Sequence, residues 1–261
     1  MRAAADTGCS WVSVSPLDVL HAEESGSSAE RIGARARALG LGLVLDPVLN
    51  WSPGDPAPES RFSRVSATEG MRMARDLGAT IVSAIAPRHG TAELAELVEP
   101  FAALCDQAAQ FDARVQLEFI PMTLVPDVES AWEIVRSADR DNGGLVFDTW
   151  HYFRGNPDPQ ALARVPGTRI FSIQVNDAPA EPAEDLWAET RQRLLPGDGA
   201  FDLPALFRQL ADMGALACVG PEVISTAMTD LARRDPTDAA RVAMSAVRAL
   251  VDDALRGGEA S

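Results

Sequence analysis

Histidine, cysteine and basic clusters are scarce in this chain of 261 residues, and each scarcity closes off a class of function. Cys9, Cys105 and Cys218 are odd in number, far apart and never in CxxC spacing. That excludes a disulfide framework and a zinc knuckle, and leaves reduced thiols packed in the interior. His21, His89 and His151 are too few and too scattered for a His-rich zinc centre. The formal net charge of -15, with no basic cluster to interrupt it, repels a polyphosphate backbone, so nucleic acid is not an expected partner. No segment reaches the roughly 18 uncharged apolar residues of a membrane span, and the opening MRAAADTGCSW has no apolar core of signal-peptide length. The expectation is a cytoplasmic protein without a membrane partner.

What the chain does contain is one repeated unit: an amphipathic helical stretch, a glycine, then a short apolar run. It occurs as AAADTG before CSWVSV, ARARALG before LGLVLD, GMRMARDLG before ATIVSAI, and LFRQLADMG before ALACVGPEV. Gly8, Gly40, Gly78 and Gly214 stand where a left-handed residue stops a helix and turns the chain into a strand. Helix and strand in alternation demand parallel strands with helical crossovers, either doubly wound or closed as a (β/α) barrel. No GxGxxG with an acidic residue about 20 positions on supports a dinucleotide-binding sheet. Polar groups instead end strand after strand, as at the shared mouth of a (β/α)8 TIM barrel.

With 46% hydrophobic and 23% charged residues, the composition suits one TIM-barrel domain over residues 1–256, with 257–261 as a frayed tail. Strands are expected at 11–15, 42–46, 80–85, 114–119, 144–148, 170–176 and 218–223. These are the second to eighth of the barrel, with the first strand missing from this sequence because the chain opens inside a helix. The expected natural start lies about 20 to 30 residues upstream, unless another segment or subunit covers the gap. Residues 47–63, with Trp51, and 178–199, with EDLWAETR, are expected to act as lids.

Four of the apolar runs end on a metal-capable or polar side chain: VQLEF on Glu118, LVFDTWH on Asp148 and His151, FSIQVND on Gln174 and Asp177, VGPEV on Glu222. A strand covered on both faces is almost continuously apolar, so a Glu, Asp or Gln near its end costs several kcal/mol unless a cation or hydrogen-bond partner meets it. Four such groups at like positions point to one shared cation. Three carboxylates and an amide oxygen are hard ligands, suited to Mn²⁺, Mg²⁺ or Co²⁺. Plainer roles compete: Glu118 and Glu222 as carboxylates paired with arginine, Asp148 as a helix cap, His151 as a hydrogen-bonded rim residue, and Asp177 as a turn former rather than a support behind the ligands. Arg154 and Arg193 are candidates to bind substrate or are solvated, and Trp51, Trp150, Phe153 and Trp187 either wall a pocket or pack.

These stretches, with RLLPGDGAFDL, resemble the xylose-isomerase-like TIM barrels, a family that includes sugar phosphate isomerases and epimerases and AP endonuclease family 2. The resemblance runs over nearly the whole chain. It implies a divalent cation held by Glu118, Asp148, Gln174 and Glu222, with Gln174 standing where many members carry histidine. A similar glutamine occurs in the dehydratase domain of some bacterial 3-dehydroshikimate dehydratases. The implied cofactor is one divalent cation, Mn²⁺ first, with Mg²⁺, Co²⁺ and Zn²⁺ left open. The implied activity is an isomerase or epimerase of a sugar or polyol-derived hydroxy-ketone working through an enediolate, with Glu118 and Glu222 as base and acid. His151, Arg154, Arg193 and Trp51 are the candidate substrate contacts. A dehydratase acting on an inosose or dehydroshikimate is the alternative, and a catalytically silent barrel serving as a binding subunit is the outside one. The expected partner is a small sugar or cyclic polyol ketone, with a homo-oligomer left open.

Overall fold

The computed structural model describes residues 1–52 and 65–258, with side chains as far as Arg256. Two compact units are resolved, Met1–Leu145 and Val146–Ser261, and each is described on its own. Seven strands lie among the described residues, each falling on one of the seven expected runs, and every glycine expected to stop a helix is left-handed. Gly8, Gly40, Gly78 and Gly214 have φ of 75°, 71°, 69° and 69°.

In the first unit α1 (Arg2–Asp6) leads into β1 (Trp11–Val14), followed by α2 (Pro16–Glu24), α3 (Ala29–Ala38) and β2 (Gly42–Val48). Then come α4 (Ala67–Leu77), β3 (Ile81–Ile85), α5 (Leu94–Ala109), β4 (Arg114–Glu118) and α6 (Val128–Ala138). The unit ends within β5 (Gly143–Asp148). Strands β1 to β4 pair in chain order and in parallel, Trp11 opposite Gly42, Val44 opposite Ile81, and Ile85 opposite Glu118. The helices start where oxygen-bearing side chains meet open backbone amides: Ser15 caps α2, Ser28 caps α3, Ser66 caps α4 and Asp127 caps α6. Helix α4 buries Met71, Met73, Ala74 and Leu77, and α5 buries Leu97, Phe101, Leu104, Cys105 and Ala108 at helical spacing. Each large side chain contributes about 1.5 to 3 kcal/mol by leaving water. Gly33 lets α3 touch the end of α4, because a Cβ there would lie 2.0 Å from the Leu77 carbonyl oxygen.

The second unit takes over within β5 and continues through α7 (Thr149–Arg154), α8 (Pro159–Ala163), β6 (Ile170–Val175) and α9 (Leu186–Glu189). It closes with α10 (Leu203–Asp212), β7 (Val219–Pro221), α11 (Thr226–Arg234) and α12 (Pro236–Gly258). Strands β6 and β7 are parallel, Gln174 opposite Gly220 and Val175 opposite Pro221. Strand β7 is shorter than the run 218–223 because Pro221 has no amide to give, yet the ladder continues past it: the Glu222 amide donates to the Val175 carbonyl at 2.9 Å. That bond fixes the backbone of Glu222 beside the end of β6. Helix α12 buries Ala239, Ala243, Val247 and Ala254 along one stripe. No helix among the described residues is long and apolar enough to cross a membrane, and the three cysteines form no disulfide.

Candidate metal and substrate site

Strand β5 is buried along its whole length and ends on Asp148, which is fully buried. Asp148 does two things at once. Its Oδ1 accepts from the His151 amide at 2.9 Å and so caps α7, while Oδ2 accepts from Asn176 Nδ2 at 2.9 Å and Arg193 Nη1 at 3.0 Å. The cap and the charged role read from the sequence are therefore not alternatives, because one carboxylate has an oxygen for each.

Arg193 is the hub. Only 3% exposed, it reaches Asp148, the Glu222 carboxylate at Oε2 and the Glu222 carbonyl at 3.2 Å through one nitrogen, Nη1. Its Nη2 is 3.4 Å from His151 Nε2, and its guanidinium lies 5.7 Å from the Trp150 ring centre. The other oxygen of Glu222 accepts from the Gln174 amide nitrogen at 3.0 Å, which turns the Gln174 oxygen away from Glu222. The Glu222 side chain is the open edge of this group, 28% exposed against none for Asp148. Burial pushes the Asp148 carboxyl upward, but the Arg193 guanidinium, His151 and the His151 amide outweigh it and hold the group below the usual carboxylate range.

The segment carrying Arg193 is pinned on two sides. Leu194 exchanges backbone hydrogen bonds with Asp177 at 2.8 and 3.0 Å, and the Arg193 amide donates to the Ile224 carbonyl at 3.1 Å. Asp177, 1% exposed, accepts from the amides of Ala178, Gly197 and Phe201 at 2.8, 3.0 and 3.1 Å. It thus organises the loop PGDGAF, where a Cβ on Gly199 would sit 2.2 Å from Asp177 Oδ1. Residues 178–199, the stretch expected to act as a lid, are tied by these bonds to Asp177 and Ile224. Within them Glu189 accepts from Trp150 Nε1 at 3.1 Å, Arg154 Nε at 2.6 Å and the Ala183 amide at 2.5 Å. Arg154 also donates to the Pro179 carbonyl at 2.6 Å and lies over Phe201, itself stacked on Phe153.

The second unit thus brings together Asp148, His151, Gln174, Arg193 and Glu222, and fastens Asp177 and Arg154 to the adjoining loop. Glu118 and Trp51 belong to the first unit. Glu118 ends β4, 5% exposed, two residues beyond Gln116 on the same strand face. Trp51 is 8% exposed, donates to the Ile85 carbonyl at 2.8 Å and meets Phe101 edge-on. The rest of its expected lid, residues 53–64, lies outside the described residues.

Asn176 and Glu189 escaped the sequence reading. Asn176 lies two residues beyond Gln174, hence on the same side of an extended backbone, and period-two spacing was the signal available for it. Its backbone amide and the Thr149 hydroxyl lock together at 2.9 Å, which holds the two strand ends carrying Asp148 and Gln174. Nothing in EDLWAETR marks Glu189 as different from its exposed acidic neighbours.

Residues 1–250 match the xylose isomerase-like TIM barrel. The chain belongs to that family. It is 28% identical over 228 residues to a 3-dehydroshikimate dehydratase of Pseudomonas aeruginosa, covering 86% of this chain and 36% of that protein. It is 33% identical over 128 residues to an inosose isomerase of Bacillus subtilis, covering 48% of this chain and 45% of that one. The matched region thus spans between a third and a half of these relatives. Among solved structures, that of the IolI protein with a bound zinc atom superposes with a TM-score of 0.81 at 22% identity, covering 96% of this chain and 91% of that one. At that identity the likeness speaks for the TIM-barrel fold. The relatives are enzymes by name, and the small molecules in their names are a cyclic polyol ketone and a cyclic hydroxy-ketone acid.

Proposed function

We propose that the protein is a divalent-metal-dependent isomerase or epimerase of a sugar or polyol-derived hydroxy-ketone. The single observation that carries this reading is that two carboxylates at the ends of β5 and β7, Asp148 and Glu222, converge on one cationic group. A site that holds a guanidinium between two carboxylates, with an amide side chain beside them, has the charge and the oxygen donors a hard divalent ion needs. Asp148, Gln174 and Glu222 would hold it, and the strand-end pattern of the sequence adds Glu118. Mn²⁺ suits this donor set first, with Mg²⁺, Co²⁺ and Zn²⁺ behind. When bound, the ion supplies polarisation of the substrate carbonyl.

The chain's own groups supply the rest. Glu118 takes the proton from the carbon beside the carbonyl, and Glu222, the most open of the group, returns one. Return to the opposite face of the same carbon inverts it, and return to the neighbouring carbon moves the carbonyl. His151 and Arg193 line the same cluster and meet the hydroxyl oxygens of the substrate. Arg154 serves by keeping residues 179–189 folded down, which excludes water. The chain has no lysine, all 23 of its basic residues being arginine, so imine formation through a lysine side chain is closed to it.

Two observations favour a second reading, a dehydratase. Gln174 is a neutral donor where many family members carry histidine, and the relative matched over most of this chain is a dehydratase by name. Loss of a β-hydroxyl after the same proton abstraction requires no further residue.

Both readings are tested by incubating the metallated protein with inososes, keto-sugars and dehydroshikimate in D₂O. Deuterium entering the carbon beside the carbonyl without loss of water supports the isomerase or epimerase, and loss of water supports the dehydratase. No exchange on any of them removes both. Metal binding is tested apart from turnover: at 100 times the dissociation constant it should add about 2.7 kcal/mol, roughly 5 to 10 °C in melting temperature. A melting point indifferent to Mn²⁺, Mg²⁺, Co²⁺ and Zn²⁺ removes the metal.

A further inference from the structure

The cation already seated between Asp148 and Glu222 belongs to the protein itself. We propose that Arg193 is a tethered competitor of the metal: it neutralises the two carboxylates when no ion is bound and must give up at least one of them when an ion enters. The inference rests on the metal reading above and adds a regulation of that site.

Three observations carry it. Arg193 Nη1 serves both carboxylates and the Glu222 carbonyl at once, so the carboxylates are gathered around a single point. Asp148 Oδ2 already accepts two hydrogen bonds, from Asn176 and Arg193, and its Oδ1 accepts a third from the His151 amide. An oxygen that accepts two donors has spent both of its lone-pair directions, so an ion binding at Oδ2 displaces one of them. The Asn176 side chain is held by the Thr149 hydroxyl, which donates to its Oδ1 at 2.9 Å, whereas Arg193 sits at the end of a long side chain, so the arginine is the donor that moves. Finally, the backbone of Arg193 is pinned by bonds at Leu194 and Ile224, so the guanidinium can swing without the loop opening.

Two consequences follow. A tethered positive charge beside the ligands lowers affinity for any second cation, which holds the site open to exchange and selects for ions that bind carboxylates strongly. The same charge lets the metal-free protein bury Asp148, which would otherwise stand as an uncompensated anion.

Isothermal calorimetry with Mn²⁺ on the wild type, Arg193→Gln and Arg193→Lys tests the proposal. Arg193→Gln should bind Mn²⁺ at least tenfold more tightly while its metal-free melting point falls, and Arg193→Lys, which keeps the charge, should stay close to wild type. Because the glutamine variant risks failing to fold without metal, the wild type is also followed by NMR of its arginine side-chain N–H groups while Mg²⁺ is added. One slowly exchanging guanidinium signal should shift or be lost at saturation. If the wild type binds ion but Arg193→Gln binds it equally or more weakly, or if no arginine signal responds to saturating Mg²⁺, Arg193 is not a competitor and the metal reading stands alone. If no divalent ion binds the wild type or either variant, both readings fall together.

Discussion

Each unit sets a strand glutamine beside a polar partner, and the two glutamines do different things. In the first unit Gln116 of β4, 1% exposed, donates to the Ser83 hydroxyl of β3 at 2.9 Å. Both groups of this bond are neutral. In the second, Gln174 of β6 donates to Glu222, which shares Arg193 with Asp148. A buried polar side chain therefore does not by itself mark a site. What marks one is convergence of charge beyond what the neighbours' hydrogen bonds require, and four measurements break or sharpen that contrast.

The largest effect is expected from Asp148→Leu. Removing one partner of a buried ion pair leaves Arg193 partly uncompensated and costs roughly 3 to 5 kcal/mol. At about 2 to 4 °C per kcal/mol for a chain of this size, the melting temperature should fall by roughly 6 to 20 °C, and calorimetry should show no Mn²⁺ binding. A variant that melts like wild type would make the charged cluster no more consequential than the neutral pair.

Gln116→Leu is the counterpart. Leaving the Ser83 hydroxyl buried without its donor costs about 1 to 3 kcal/mol, and adding Ser83→Ala should recover most of it. Mn²⁺ affinity should stay where it was. A large loss of metal binding would show that the pair belongs to the site.

Gln174→His should strengthen binding of Mn²⁺ and Co²⁺ by roughly tenfold, about 1.4 kcal/mol, because imidazole is the better donor to transition ions. Unchanged affinity in calorimetry would remove Gln174 from the ligand set and leave it, like Gln116, a hydrogen-bonding neighbour.

The smallest effect concerns the sole tyrosine, Tyr152, 4% exposed on α7. Burial, with Asp158 adding to it, pushes its hydroxyl up to about 12. The folded state holds this proton longer than the unfolded chain, whose tyrosine titrates near 10. Stability from this group is therefore complete below about pH 10 and is lost as pH rises toward 12. Phenolate absorbance should appear near pH 12 in the native protein and about two units earlier in urea. Native titration near pH 10 would contradict the burial of α7.

The strands and helix stops were legible in the chain because they rest on local physics. Apolar runs of strand length end at glycines whose left-handed conformation other residues resist, and seven such runs became seven strands. Asp148, Gln174 and Glu222 were legible for a related reason, since a polar residue ending an apolar run is conspicuous. Asn176 was hidden by its place next to Asp177 in an already polar stretch. Arg154 reads in sequence like Arg193, with aromatic residues close by, but its guanidinium is taken by Glu189 and the Pro179 carbonyl.

What the amino-acid order determined by itself is the alternation of helix and strand, the parallel sense this forces on the strands, and the residue types that end them. These follow from periodicity, glycine placement and burial cost, which act over a few residues at a time. Only the tertiary structure decided that Arg193, 45 residues from Asp148 and 29 from Glu222, stands between those two carboxylates, and that Glu189 holds Arg154 down. Partnerships among charges depend on which side chains share a low-dielectric space, and sequence separation carries no information about that distance.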